Sequence, residues 1–208
     1  MGHGTETALD ELAGMMVELQ EEGAHNINWV TPTHEVTHLL DGLQRARGLG
    51  LQVPIVYNSS GYDSLEALKL LDGVVDIYMP DMRYADGKIS LNYSGVSDYP
   101  EVNRLAIQEM HRQVGDLKLD DNEIAVRGLL VRHLVLPGSL SGTEKIMRFL
   151  SETISKKTYI SLMSQYFPAY KAPEMDVINR RITRKEYQKA RELMEKYGLT
   201  EGWMQDIY

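Results

Sequence analysis

Apolar residues recur along the chain in two alternating rhythms. Leu9, Leu12, Ala13, Met16 and Leu19 fall at helical spacing, which predicts a helix over 5–23 that stops at Gly23. Residues 26–31 follow as a short apolar strand that ends before Pro32. Helical spacing returns over 35–47, where Leu39, Leu40, Leu43 and Ala46 share a face and Gly48 and Gly50 close the segment. The alternation continues, with strands over 53–57, 74–79, 126–136 and 158–163. Helices are predicted over 64–72, from Tyr99 to near Gly115, over 143–154 and over 183–197. A loop at 84–98, an acidic turn at 116–123 and an irregular stretch at 164–182 interrupt the rhythm.

A leading helix and five strand–helix units imply parallel strands joined by right-handed crossovers. Short, mostly apolar strands fit a sheet covered on both faces or a barrel interior. The expected fold is α/β, a partial (β/α) barrel of about five parallel strands with flanking helices. A doubly wound open sheet is the alternative. The chain reads as a single α/β domain over 1–208, with 1–4 as a disordered start or tag remnant and 199–208 as a C-terminal tail. In either architecture, ligands sit at the C-terminal ends of the strands.

Polar groups collect at those ends. Thr31-Pro32-Thr33-His34 follows the first strand, and Asn58-Ser59-Ser60-Gly61-Tyr62 the second. Pro80-Asp81-Met82-Arg83-Tyr84 follows the third; Arg132 and His133 lie on the fourth, and Ser164-Gln165-Tyr166 closes the fifth. Loops after strands are polar in general, so position alone does not make these residues ligands. Asp81 and Asn58 are the best single candidates, and either also suits an Asx-turn.

Composition narrows the chemistry. A chain of 208 residues, 43% hydrophobic and 25% charged, supports one sizeable core. The net charge of −8, with no basic footprint, argues against nucleic acid as a partner. Arg180, Arg181, Arg184 and Lys185 form the one basic run and read as a solvated helix start. No apolar stretch is long enough for a membrane span and no apolar signal region opens the sequence, so the expected compartment is the cytoplasm. The chain has no cysteine. Disulfides, thiol nucleophiles, zinc–thiolate sites and Cys-ligated clusters are therefore excluded within these residues.

One motif points elsewhere. His34-Glu35-Val36-Thr37-His38 matches H-E-x-x-H, which on a helix places two histidines on one face for zinc, with Glu35 as general base. The motif starts two residues after Pro32, at the mouth of a helix, and no third ligand is evident. A zinc hydrolase is the third-ranked reading. His25, His111 and His133 are scattered and read as structural. No phosphate loop, dinucleotide fingerprint or nucleophile elbow is present.

Several strings appear in order: Gly23-Ala24-His25-Asn26-Ile27-Asn28, Val30-Thr31-Pro32-Thr33-His34, Tyr57-Asn58-Ser59-Ser60-Gly61-Tyr62, Asp76-Ile77-Tyr78-Met79-Pro80-Asp81, Val131-Arg132-His133-Leu134-Val135-Leu136-Pro137-Gly138 and Ser161-Leu162-Met163-Ser164-Gln165-Tyr166. Together they resemble the pyruvate formate-lyase-activating-enzyme-like branch of the radical S-adenosylmethionine (SAM) proteins, from about residue 8 to 206. The resemblance implies a partial TIM-like barrel and a [4Fe–4S] cluster held by a C-x₃-C-x₂-C loop after the first strand. It further implies reductive cleavage of SAM to a 5′-deoxyadenosyl radical that activates a glycyl-radical enzyme. Carried over by position, it places Thr33 and His34 at the SAM amino group and Asn58 at the methionine moiety. Asp81 and Arg83 would help hold SAM or a peptide substrate, Arg132 would face the SAM carboxylate, and Gln165 and Tyr166 would lie near the adenosine.

The departures matter. The first strand and the cluster loop of the family are absent from this sequence, which reads as a fragment or a degenerate member. Arg83 stands where relatives often carry Lys, which keeps the charge and changes its geometry. The expected function is that of a radical SAM activase-like protein without cluster ligands, with no catalytic or metal residue assigned and only weak or residual SAM binding. A non-catalytic module that holds a small molecule or a protein is the alternative. The expected partners are a protein substrate, a glycyl-radical enzyme or another, and a second copy paired through an exposed edge strand at 26–31. Neither nucleic acid nor membrane is expected.

Overall fold

A computed structural model describes residues 6–207. The expectation for residues 1–4 lies outside the described residues. In chain order the elements are α1 (Leu9–Glu21), β1 (Ile27–Val30), α2 (Val36–Gly48), β2 (Ile55–Asn58), α3 (Leu65–Leu70), β3 (Ile77–Tyr78), α4 (Gly87–Ser94) and α5 (Tyr99–Val114). They continue with β4 (Lys118–Leu119), β5 (Ala125–Leu134), α6 (Thr143–Phe149), β6 (Tyr159–Met163), α7 (Arg184–Lys196) and β7 (Gly202–Met204).

The strand order is β1-β2-β3-β5-β6-β7, and every pairing along it is parallel. Apart from β4, which lies off this path, each strand lies beside the next in sequence, with no reversal of order across the sheet. That excludes the doubly wound alternative, whose order reverses at a switch point. The fold is a barrel-type α/β arc. Among the described residues no pairing joins β7 to β1, so the arc stays open.

Strand parity divides the side chains. Ile27 and Trp29 of β1, Ile55 and Tyr57 of β2, Tyr78 of β3, Leu129 and Val131 of β5 and Ile160 and Leu162 of β6 are buried in one core with the helices. Ala13 and Met16 of α1, Leu43 and Ala46 of α2, Ile107 and Met110 of α5 and Ile146 and Met147 of α6 pack into it. The opposite parity lines the concave face, where Val56 and Ile77 at the middle of the sheet are buried. Val30 and Trp203, at the two edges of the arc, are 67% and 55% exposed.

Three segments differ from the sequence expectation. The loop at 84–98 contains α4, started by Asp86, whose carboxylate accepts from the Lys88 and Ile89 N–H groups at 2.9 and 3.3 Å. Its Gly, Asn, Tyr and Ser content gave no propensity signal. The acidic turn at 116–123 carries β4, which pairs antiparallel with the start of β5. The segment read as a tail, 199–208, supplies β7, a sixth parallel strand. Three residues are too few to show a period, and Gly202 serves backbone approach: a Cβ there would stand 2.2 Å from the Ile160 carbonyl oxygen.

Candidate functional site

The ends of β3 and β5 meet at one carboxylate. Asp81 lies just past β3 and bridges to Arg132 of β5. The backbones lock together: the Arg132 N–H donates to the Pro80 carbonyl at 2.9 Å and the Met82 N–H to the Arg132 carbonyl at 2.8 Å. Register therefore places the two side chains side by side on the concave parity. Arg132 Nε donates to Asp81 Oδ1 at 2.8 Å, with Nη2 at 2.7 Å from the same oxygen. Arg83 approaches from the other side, Nε and Nη2 donating to Oδ2 at 3.1 and 2.8 Å.

A brace from α5 fixes this arrangement from behind. Asn103 Nδ2 donates to the carbonyls of Gly61 (3.0 Å) and Asp81 (2.9 Å). The Tyr99 hydroxyl is shared between the Ser60 carbonyl at 2.9 Å and the Asp81 carbonyl at 3.1 Å, and it accepts from the Arg83 N–H at 3.1 Å. Burial pushes the Tyr99 phenol well up, so it stays a neutral donor. Gly61 is required here: its φ is +71°, and a Cβ would stand 2.3 Å from Asn103 Nδ2.

His133, next to Arg132 but on the helix-facing parity, is fully buried. Its Nδ1 lies 2.8 Å from the Met82 carbonyl and its Nε2 3.0 Å from Thr143 Oγ1. Burial lowers its pKa to about 4, so the ring is neutral and ties β5 to α6.

A cavity of ≈ 280 Å³ opens beside the clasped carboxylate, bordered by Asp81, Arg83, Arg132, Met163, Gln165 and Tyr166. Five of the eight site residues expected from the sequence thus meet in one place. Gln165 bridges from Met163 Sδ to Gln205, and Tyr166 donates to the Ile178 carbonyl at 2.7 Å.

The other three do not line this cavity. Thr33 is engaged elsewhere, donating to Asp63 Oδ1 at 2.7 Å. Asn58 ends β2, buried, and its carbonyl accepts from the Thr31 N–H at 2.8 Å. His34 sits in a 3₁₀ turn, Pro32–His34, with its side chain 71% exposed. Because α2 starts only at Val36, His34 and His38 do not share a helix, and the zincin geometry is not formed. No group of three His, Asp or Glu side chains is placed to hold a metal ion among the described residues.

Sequence reasoning misses Asp63 and Asn103, and counts Tyr99 only among several loop tyrosines that could line a pocket or simply pack loops. Asp63 precedes the α3 N-cap Ser64, and Tyr99 opens α5 beside Pro100, so both resemble ordinary helix-start residues. Nothing in their spacing shows that they reach across the rim.

The comparisons with known proteins bear on the fold. No family model matches the chain. An uncharacterized protein of Methanocaldococcus jannaschii is 35% identical over 187 residues, covering 88% of this chain and 50% of that protein. The chain thus spans about half the length of the curated relative it matches. A domain of pyruvate-formate lyase-activating enzyme from Bacteroides vulgatus superposes with a TM-score of 0.59 at 12% identity, over 87% of this chain and 98% of that domain. HydG, a maturase of the [FeFe]-hydrogenase, gives 0.59 at 11% identity, over 96% of this chain and 45% of HydG. The chain shares the α/β fold of these two solved structures. At these identities the likeness concerns the fold alone.

The donor set then tests what such a fold implies. With no cysteine, these residues offer no thiolate, and they do not fit a [4Fe–4S] cluster. They do fit a carboxylate. Two guanidiniums against one aspartate leave a net positive charge at the cavity wall, and each guanidinium has N–H groups left over. No helix among the described residues is long and apolar enough to cross a membrane.

Proposed function

We propose that these residues form the ligand-binding part of a radical SAM protein related to the pyruvate formate-lyase-activating enzymes, and that the rim holds the amino-acid carboxylate of SAM. The observation that carries this reading is the convergence of Arg83 and Arg132 on Asp81 at the C-terminal strand ends of a radical SAM-like arc. Arg132 and Arg83 bind the carboxylate. Asp81 orients both guanidiniums, and Gln165 and Tyr166 border the ligand's far side. The cavity, at ≈ 280 Å³, suits one end of such a ligand rather than all of it, with the remainder over the open concave face. The absence of thiolates favours a binding role, not a catalytic one, for these residues by themselves.

With charge and packing as its only anchors, SAM binds weakly, with a Kd of about 0.1–1 mM. Calorimetric titration of SAM into the full chain tests this. Arg132→Ala weakens binding about tenfold or more, while Lys157→Ala, at an exposed turn, leaves it unchanged. Equal affinity in wild type and both variants rejects the reading.

The open face suits a protein substrate, and the β1 edge suits a second copy. β1 pairs with β2 on one side and with no other strand among the described residues. An unpaired edge of this kind is a template for strand addition. We therefore propose a homo-oligomer through residues 26–31. Light scattering reports a dimer or larger species; a monomer at every concentration, up to about 0.5 mM and so well above a Kd near 1 μM, rejects it.

A further inference from the structure

A second cavity, ≈ 540 Å³, lies outside the arginine-lined rim. It is framed by the start of α4, the loop at 137–142, the start of α6 and one face of α7. Its volume falls within the range of roughly 300–1,000 Å³ usual for small-molecule sites. Ile89, Val135, Leu136, Leu140 and Leu193 give it an apolar wall.

Three acids and three lysines also border it. The acids are engaged. Asp86 caps α4. Glu144 accepts from Lys196 Nζ at 2.7 Å. Glu186 accepts from Arg180 Nη2 and from the Gly138 N–H, both at 2.8 Å. The lysines are less committed. Lys145 lies 4.0 Å from Asp86, and among the described residues no hydrogen bond or ion pair holds the ammonium of Lys88 or Lys189. Lys88 acts electrostatically on Asp86 and Lys189 on Glu144, but neither ammonium is held, so in a chain of net charge −8 this cleft sets two movable cations over an apolar wall.

We propose that the cleft binds an amphipathic organic anion, an acyl or aryl chain ending in a carboxylate or sulfonate. Its body lies against Ile89, Leu136, Leu140 and Leu193, and its head group meets Lys88 and Lys189. A neutral apolar ligand would use the wall and leave the lysines idle. A small inorganic anion would use the lysines and gain nothing from the wall. Leu136 borders this cleft and the rim cavity alike, so an occupant here touches a wall that the rim ligand shares. The site does not depend on SAM binding at the rim.

The test uses two fluorescent probes on the full chain: anionic 1-anilinonaphthalene-8-sulfonate and its uncharged relative N-phenyl-1-naphthylamine. Both bind at one saturable site, and dodecanoate displaces the sulfonate. The double charge reversal Lys88→Glu with Lys189→Glu weakens the sulfonate about tenfold or more and leaves the neutral probe within about twofold, as two lost attractions near a partly dry wall imply. Leu140→Trp fills the cavity and removes both signals. Leu193→Trp does the same from α7, and thermal melts identify either variant that fails to fold. Unsaturable binding, equal loss of both probes on charge reversal, or full binding in a folded cavity-filling variant overturns the proposal.

Discussion

Two aspartates, Asp63 and Asp81, end up buried beside neighbouring strand ends, and the chain treats them in opposite ways. Asp63 is surrounded by hydroxyls. Thr33 Oγ1 and Tyr57 Oη donate to its Oδ1 at 2.7 and 2.9 Å, and Ser59 Oγ donates to Oδ2 at 2.6 Å. Burial first, and the Asp63 charge second, push the Tyr57 phenol well up, so it remains a neutral donor. No cation pairs with Asp63 among the described residues. Asp81 is instead clasped by two guanidiniums whose side chains are 49% and 29% exposed. The difference separates structure from function. A carboxylate satisfied by three neutral hydroxyls has most of its acceptor sites filled and ties neighbouring segments together. A carboxylate shared by two arginines hands a surplus of charge and donors to the solvent side, where a ligand can take them.

The comparison breaks most visibly at Asp63. Asp63→Ala leaves buried Tyr57 Oη and Ser59 Oγ without their acceptor. Unpaired buried groups cost about 1–3 kcal/mol each, so a loss of about 3–5 kcal/mol is expected. For a chain of this size that corresponds to a fall in Tm of roughly 6–20 °C. Asp81→Ala costs much less stability, about 1–2 kcal/mol, because both guanidiniums, 49% and 29% exposed, regain water. Thermal melts of the two variants side by side decide it. A larger fall for Asp81→Ala would mean that the rim, not the hydroxyl hub, holds this end of the sheet.

The same contrast explains how far the sequence could be read. The alternation of periods exposed the parallel βα order; strand-end position put Asp81, Arg83, Arg132, Gln165 and Tyr166 among many polar rim groups, because parallel strands deliver their C-terminal ends to one rim, and the family resemblance then picked them out. The helix-starting residues hid more. Asp63 and Tyr99 carry long-range hydrogen bonds spanning up to 39 positions, and no local pattern encodes a partner at that distance. Thr33 reached the expected rim and was then taken by Asp63, a competition that strand-end position cannot express. β7 escaped because three residues have no period and its one diagnostic residue, Gly202, reads as a turn. The H-E-x-x-H string failed for a local reason that was visible: Pro32 holds His34 in a 3₁₀ turn, one residue outside the cap of α2.

The smallest expected effect sharpens the comparison most, because it separates charge from geometry within the clasp itself. Arg83 presents Nε and Nη2 to the same Asp81 oxygen, while Arg132 independently holds the other oxygen. Arg83→Lys keeps the charge and loses the fork. At about half exposure, such a pair contributes only about 0.2–1 kcal/mol, so Tm falls by no more than roughly 2–4 °C. The ligand reports something else. A lysine ammonium cannot meet Asp81 and a carboxylate with one planar group, so on the proposed reading SAM affinity falls about three- to tenfold while stability barely moves. Arg132→Lys, with a less exposed side chain, loses more of both. Calorimetry and melts on the two lysine variants read the two quantities separately. If Arg83→Lys lowers Tm as much as Asp63→Ala does, the rim clasp is a structural hub after all. If it leaves SAM affinity untouched while Arg132→Lys abolishes it, Arg132 alone receives the carboxylate and Arg83 serves only to hold Asp81.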